Sequence, residues 1–277
     1  MNVRGLGRAA IRELATRHGV RPTKSLGQNF LADPNLVRAI ASEAGVGEGY
    51  RVVEVGAGFG SLTVALAETG ARVLAIEFDR RMVAALREVV LGAANVEVLE
   101  ADAMRIDWAA VLGRGPWTMC SNLPYNIAVP LVLGMLGSAP GIGRFVVTVQ
   151  REVGERLAAK PGDQQYGAVS VRVAYRASAE VVRRVPARVF WPEPKVESVV
   201  VRLDRRARPP VRVAPERLWR VVYAGFAERR KTMRNALRRL GVERPEEVLA
   251  SCDLDPSARA EQLSLEDLSR IAEAIPA

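Results

Sequence analysis

The chain has 277 residues, 49% of them hydrophobic and 26% charged, with a net charge of +9 at pH 7 and a pI near 10.2. That length and apolar content suit one large domain plus a small one, and the basic balance points to a polyanionic partner. The longest apolar runs, 129–136 and 145–149, fall far short of the roughly 20 residues that cross a bilayer. Two distant cysteines, Cys120 and Cys252, and a single histidine, His18, argue against a disulfide framework, a histidine–cysteine metal site and an imidazole base. A soluble protein of a reducing cytoplasm, with no membrane span and no metal, is the expectation.

In chain order, the amino terminus carries Arg4, Arg8, Arg12, Arg17 and Arg21 against Glu13. Leu6, Ala10, Ile11 and Leu14 share one face, so an amphipathic helix is favoured over an organelle transit peptide. Segments 51–55, 72–76, 96–99, 117–121 and 144–149 read as short strands, mostly buried and rich in β-branched residues. Helical patterns at 61–68, 80–90 and 128–136 fall between them. This alternation predicts an α/β fold with a mostly parallel, doubly wound sheet. A further strand pattern over 196–203 is interrupted by Arg205-Arg206-Ala207-Arg208-Pro209-Pro210, which predicts one domain over 1–206, with 1–27 as a basic helix or arm, and a second over 207–277. Within the second, 216–227, 229–240, 245–251 and 265–274 read as helices, the last after a Ser264 start signal.

Positive charge is concentrated in this second part. From 202 to 244 there are 14 Lys and Arg against Asp204, Glu216, Glu228 and Glu243. The densest cluster, Arg229, Arg230, Lys231 and Arg234, shares a helical pattern with Met233, Ala236, Leu237 and Leu240. One face would pack while another offers guanidinium groups to phosphates, although a solvated charged face reads the same way.

The ligand-binding element is Glu54-Val55-Gly56-Ala57-Gly58-Phe59-Gly60-Ser61, directly after the first of the alternating strands. Glycines there allow a tight turn and close approach, and the following helix start offers free N–H groups. Glu77 ends the second strand, where a carboxylate can accept from two ribose hydroxyls, and Asp102 follows the third, where it could accept from an adenine amino group. Asn122-Leu123-Pro124-Tyr125 follows the fourth; a side-chain amide, a proline turn and an aromatic ring can hold a nucleobase by its exocyclic amine and its face. A nicotinamide dehydrogenase would share the acidic residue, but its fingerprint has the third glycine where this chain has Ser61.

The pattern resembles the S-adenosylmethionine-dependent methyltransferases of the Rossmann-like class I, in which an Asn/Asp-Pro-Pro-Tyr motif, here Asn122-Leu123-Pro124-Tyr125, marks transfer to an amino nitrogen. Three longer blocks narrow this: Lys24-Ser25-Leu26-Gly27-Gln28-Asn29-Phe30-Leu31, Phe190-Trp191-Pro192-Glu193-Pro194-Lys195-Val196-Glu197-Ser198, and Phe226 through Leu237. They resemble the ribosomal RNA adenine N6,N6-dimethyltransferases, and most closely the KsgA/RsmA group, from about Ile11 to the C-terminal helices. The resemblance implies dimethylation, in ribosome biogenesis, of two adjacent adenosines near the 3′ end of small-subunit (16S) ribosomal RNA. The partner would be that RNA within an immature small subunit, and the enzyme a monomer. It further implies that Gln28, Asn29, Leu31, Gly56, Gly58, Glu77, Asp102 and Asn122 contact S-adenosylmethionine, which leaves as S-adenosylhomocysteine, and that Glu54 orients the methionine ammonium. Asn122 and the carbonyl of Leu123 or Pro124 would accept from the adenine N6, and Tyr125 would stack on the base. Phe190 is either the surface for its opposite face or a buried anchor of its loop. Arg229, Arg230, Lys231 and Arg234, with the Arg-rich amino terminus, would grip RNA. A large-subunit resistance methyltransferase and a non-enzymatic nucleic-acid-binding relative are the alternatives.

Overall fold

A computed structural model describes residues 5–22, 27–113, 115–228 and 230–275. In chain order the elements are α1 (Arg8–Arg17), β1 (Phe30–Leu31), α2 (Pro34–Glu43), β2 (Arg51–Val55), α3 (Ser61–Glu68), β3 (Arg72–Glu77), α4 (Arg80–Val89), β4 (Val96–Glu100), α5 (Trp108–Leu112), β5 (Trp117–Asn122), α6 (Ala128–Ser138) and β6 (Ile142–Gln150). They continue with α7 (Arg151–Ala158), α8 (Ala168–Arg176), β7 (Ala177–Val185), β8 (Phe190–Trp191), β9 (Ser198–Arg205), α9 (Pro215–Phe226), α10 (Met233–Arg239), α11 (Pro245–Ser251) and α12 (Leu265–Ala274). Two compact units result: one of residues up to Gly154 together with Ala179–Arg205, the other of Glu155–Ser178 together with the chain from Arg206 onward.

The first unit is built on a seven-stranded sheet of order β4-β3-β2-β5-β6-β9-β7. Pairings from β4 through β6 are parallel, and β9 runs antiparallel to β6. Strands β2 and β5 are buried almost throughout, as the central strands of a parallel sheet covered on both faces are. The chain steps outward from β2 to β4, then returns to place β5 on the other side of β2. The strand order therefore reverses between β2 and β5, and a crevice opens at their carboxyl ends. Helix α1 packs Ile11, Leu14 and Ala15 against Phe59, Met82 and Ala85 beside that crevice.

Two expectations are corrected. The sequence reading assigns 155–178 to the first domain; here Tyr166, Val171 and Tyr175 share a core with Leu218, Val221, Met233 and Leu268, and the Tyr166 hydroxyl donates to the Leu263 carbonyl at 3.0 Å. The helical unit is thus assembled from two separate stretches of chain. The helix read over 229–240 begins only at Met233, because the Lys231 N–H donates to the Glu228 carbonyl in a preceding turn and Thr232 is extended (ψ 158°). Among the described residues no helix is long and apolar enough to cross a membrane, and no group of three His, Cys, Asp or Glu could hold a metal ion.

Candidate functional site

The crevice begins where β2 runs into glycine. Gly56, Gly58 and Gly60 have φ of +73°, +56° and +87°, a region that costs other residues roughly 1–2 kcal/mol each. Space is equally restrictive: a Cβ on Gly58 would lie 2.9 Å from the Phe30 ring, and one on Gly56 would lie 3.2 Å from Pro124 Cδ. The bare backbone of this turn forms one wall of a cavity of about 340 Å³.

Strand β3 delivers Glu77 to the same cavity. Its Oε2 accepts from Gly58 N at 2.8 Å, and its Oε1 from Phe78 N at 2.9 Å and Asp79 N at 3.0 Å. Backbone N–H groups thus take three of the about four lone-pair directions of a carboxylate and fix its orientation. Burial nevertheless raises its pKa above the usual range. Asp102, just beyond β4, accepts from Met104 N at 2.9 Å and also lines the cavity.

Asn122 is the last residue of β5. Its Nδ2 donates to the Asn29 carbonyl at 2.9 Å, which orients the amide, while its Oδ1 is buried with no hydrogen-bond partner. An unpaired buried carbonyl oxygen costs on the order of 1–3 kcal/mol, and buried polar groups are seldom left without a partner; this one belongs to a residue that lines the cavity. In the turn that follows, Ile127 N–H takes the Pro124 carbonyl at 3.2 Å, which favours Leu123 as the second acceptor. Tyr125 is half-buried; its hydroxyl lies 3.0 Å from Ser198 Oγ, and burial pushes its pKa up.

Gln28, Asn29, Gly56, Gly58, Glu77, Asp102, Asn122, Leu123 and Pro124 all line this cavity. Leu31, Glu54 and Tyr125 do not; Leu31 and Glu54, with Gly56 and Asn122, line a small adjoining cavity of about 20 Å³. Glu54 is buried and accepts from Thr63 Oγ1 at 2.6 Å, and burial pushes its pKa up to about 8. Phe190 takes the second of its two sequence readings. Strand β8 pairs antiparallel with β1, setting Phe190 opposite Leu31, and the ring is wholly buried among Val37, Ile40 and Val200, away from the cavity wall.

The sequence reading missed the apolar side of the cavity, formed by Phe78, Met82, Ala103, Met104 and Ile127. Phe78 and Met104, 68% and 47% exposed, each sit within two residues of a strand-end carboxylate. That offset was the available signal, since a large apolar side chain left in solvent beside a polar pocket marks a ligand surface.

In the helical unit, Arg229 lies outside the described residues, as do Lys24, Ser25 and Leu26 of the first motif block. Arg230 and Lys231 are exposed on the turn before α10, and Arg234 Nε lies 3.7 Å from Glu246. Other cations of the basic stretch are engaged internally: Arg238 with Glu246 at 2.6 Å, Arg239 with Glu228, and Arg220 with the Leu240 carbonyl at 3.1 Å. In the first unit, Arg205 donates to the Leu136, Ala139 and Ile142 carbonyls at the end of α6.

A sequence model of the ribosomal RNA adenine dimethylase family matches residues 20–276. Similar proteins include the ribosomal RNA small subunit methyltransferase A of Cutibacterium acnes, 45% identical over 98% of this chain and 94% of that protein. That of Moorella thermoacetica is 44% identical over 94% of each. Among solved structures, the 23S rRNA methyltransferase ErmE superposes with a TM-score of 0.72 at 29% identity, covering 89% of this chain and 99% of that one. A dimethyladenosine transferase from Plasmodium falciparum gives 0.73 at 25% identity, covering 87% and 95%.

Proposed function

The chain belongs to the ribosomal RNA adenine dimethylase family, and from that premise we propose that the cavity at the carboxyl ends of β2 to β5 binds S-adenosylmethionine and presents it to an adenine held by Asn122-Leu123-Pro124-Tyr125. The activity is dimethylation of the N6 of two adjacent adenosines near the 3′ end of small-subunit ribosomal RNA. Identity of 44–45% to small-subunit enzymes over nearly the whole chain favours that target over the large-subunit RNA of ErmE, which is 29% identical.

The observation that carries the site assignment is the unpaired Asn122 Oδ1, buried at the cavity edge with its amide turned by the Asn29 carbonyl. When bound, S-adenosylmethionine supplies an electrophilic methyl group. What the chain must supply is a nucleophile, because the N6 lone pair is delocalised into the purine. Asn122 Oδ1 and the Leu123 carbonyl accept its two hydrogens and favour a more tetrahedral nitrogen, which localises the lone pair. The Tyr125 ring bears one face of the base, and Pro124 shapes the turn without adding a competing N–H.

The remaining residues would hold the cofactor. Glu77, with one lone-pair direction left on Oε2, receives a ribose hydroxyl, Asp102 receives the adenine amine, and Phe78, Met104 and Ile127 cover the purine. Gln28, Asn29 and, through the adjoining cavity, Glu54 and Leu31 surround the methionine end. The turn at Gly56 and Gly58 fits such a ligand, since side chains there would press on Pro124 and Phe30, which line the same cavity. Arg230, Lys231 and Arg234, with the basic amino terminus, engage RNA phosphates, and a cytoplasmic monomer acting on an immature small subunit completes the reading.

The test is transfer of labelled methyl to unmethylated small subunits, large subunits and free RNA, followed by nucleoside analysis. Dimethyladenosine confined to small-subunit RNA is expected. Dimethyladenosine in large-subunit RNA, or cofactor binding without transfer to any substrate, overturns the reading.

A further inference from the structure

We infer that Ser198 is a positioning residue for the reaction, fixing the direction of the Tyr125 ring through a hydroxyl–hydroxyl bond; this rests on the reading that Tyr125 bears the adenine. Ser198 opens β9, is completely buried and lies opposite Gln150 of β6 in the antiparallel ladder. Strand pairing on one side and burial on the other fix it as a rigid point. Its Oγ lies 3.0 Å from the Tyr125 hydroxyl, 73 residues away in sequence.

Tyr125 itself sits on a loop between β5 and α6, where nothing in the backbone ladder fixes its ring. Its main chain is backed by Gly27, where a Cβ would come within 2.9 Å of Tyr125 N, which sets the root of the side chain. The bond to Ser198 sets its tip. A ring held at its root and at its hydroxyl has a defined long axis and cannot swing away about χ1, so a base stacked on it is held in a defined place, which decides whether N6 lies in line with the methyl donor. Ser198 touches neither the cavity nor the base, so its whole contribution passes through Tyr125.

The experiment is a double-mutant cycle with S198A, Y125F and the double variant. It measures kcat and KM for small subunits, cofactor affinity and thermal unfolding. A neutral hydrogen bond used only for alignment predicts a kcat lowered roughly two- to tenfold in each single variant, with KM and cofactor affinity unchanged. The double variant should be no worse than the poorer single one. Losses that multiply in the double variant, or a wild-type kcat in S198A, overturn the inference. Should S198A fail to fold, Y125F probes the same bond from its half-exposed partner, and wild-type kcat there overturns it equally. Y125A separates the two readings: near-normal turnover without the ring defeats the base-stacking premise, whereas an inactive Y125A with multiplicative single losses defeats only the role of Ser198.

Discussion

Replacing Asn122 by alanine removes two bonds of different character, and the structure allows each to be sized. The first is structural: Nδ2 donates to the Asn29 carbonyl at 2.9 Å. A neutral hydrogen bond of this kind contributes about 1 kcal/mol, and for a domain near 200 residues that corresponds to a Tm shift of about 2–4 °C. The second, on the proposed reading, would form only with substrate, because Oδ1 has no partner in the free protein. Its loss therefore falls on the transition state, where removing one preorganised hydrogen-bonding group lowers kcat by roughly 10²–10³. The unpaired Oδ1 adds a further expectation: its removal relieves a desolvation penalty, so the net destabilisation should lie at or below the small end of that range. Asn122→Ala should melt within a few degrees of wild type and still be nearly inactive. Initial rates of labelled methyl transfer, with melting followed by circular dichroism, measure both quantities. Turnover within about threefold of wild type in a folded variant would refute the acceptor role.

Three further changes probe other parts of the site. Gly58→Ala meets both a φ of +56° and a Phe30 ring 2.9 Å away, so the fold itself bears the roughly 1–2 kcal/mol left-handed penalty before any clash and Tm followed by circular dichroism should fall by about 2–8 °C; an unchanged Tm contradicts the reading of the turn. Glu54 has its pKa raised from 4.5 to about 8 by burial, so the folded protein holds a proton that the unfolded chain releases. Its contribution is complete below pH 4.5 and is lost as pH rises towards 8, with a slope of up to about 1.4 kcal/mol per pH unit. Glu54→Gln should flatten the fall of Tm between pH 5 and 8; parallel curves for the two proteins would show that Glu54 is not the titrating group. Arg230→Ala with Lys231→Ala should reduce the slope of log affinity for RNA against log salt by about 1.5, at roughly 0.7–0.9 per phosphate contact, and leave cofactor binding intact. An unaltered salt series would remove these two side chains from the RNA surface.

What could be read in advance follows from how locally each feature is encoded. Strands β2 to β6 were legible because a parallel sheet covered on both faces requires β-branched runs, and the glycine turn because positive φ selects glycine. The stretch from Ala168 to Val185 was not: apolar and polar residues alternate across it with no proline or glycine break, yet the structure changes from helix to strand between Arg176 and Ala177. Only the packing of Tyr166, Val171 and Tyr175 into the helical core decides where each part goes. Charge misled in a similar way. The basic excess between 202 and 244 reads as phosphate-binding surface, but Arg205, Arg220, Arg238 and Arg239 are turned onto carbonyls and carboxylates, a use that composition cannot distinguish from an open one.

The same distinction explains why the motif blocks around Asn29 and Phe190 are as long as they are. A four-residue turn offers few internal bonds, so the direction of the Asn122 amide and the direction of the Tyr125 ring must be imposed from outside. The two-residue ribbon of β1 and β8 does this for both blocks at once: pairing Leu31 with Phe190 seats the Phe190 ring in the core and holds the neighbouring Asn29 carbonyl against Asn122 Nδ2. The same second block continues through the Trp191–Glu197 loop to Ser198 and the Tyr125 hydroxyl. Burial of Phe190 is then the anchor of a clamp around the turn from Asn122 to Tyr125. A change that loosens the ribbon should lower methyl transfer while the distant carboxylates Glu77 and Asp102, held by their own backbone bonds, keep their positions.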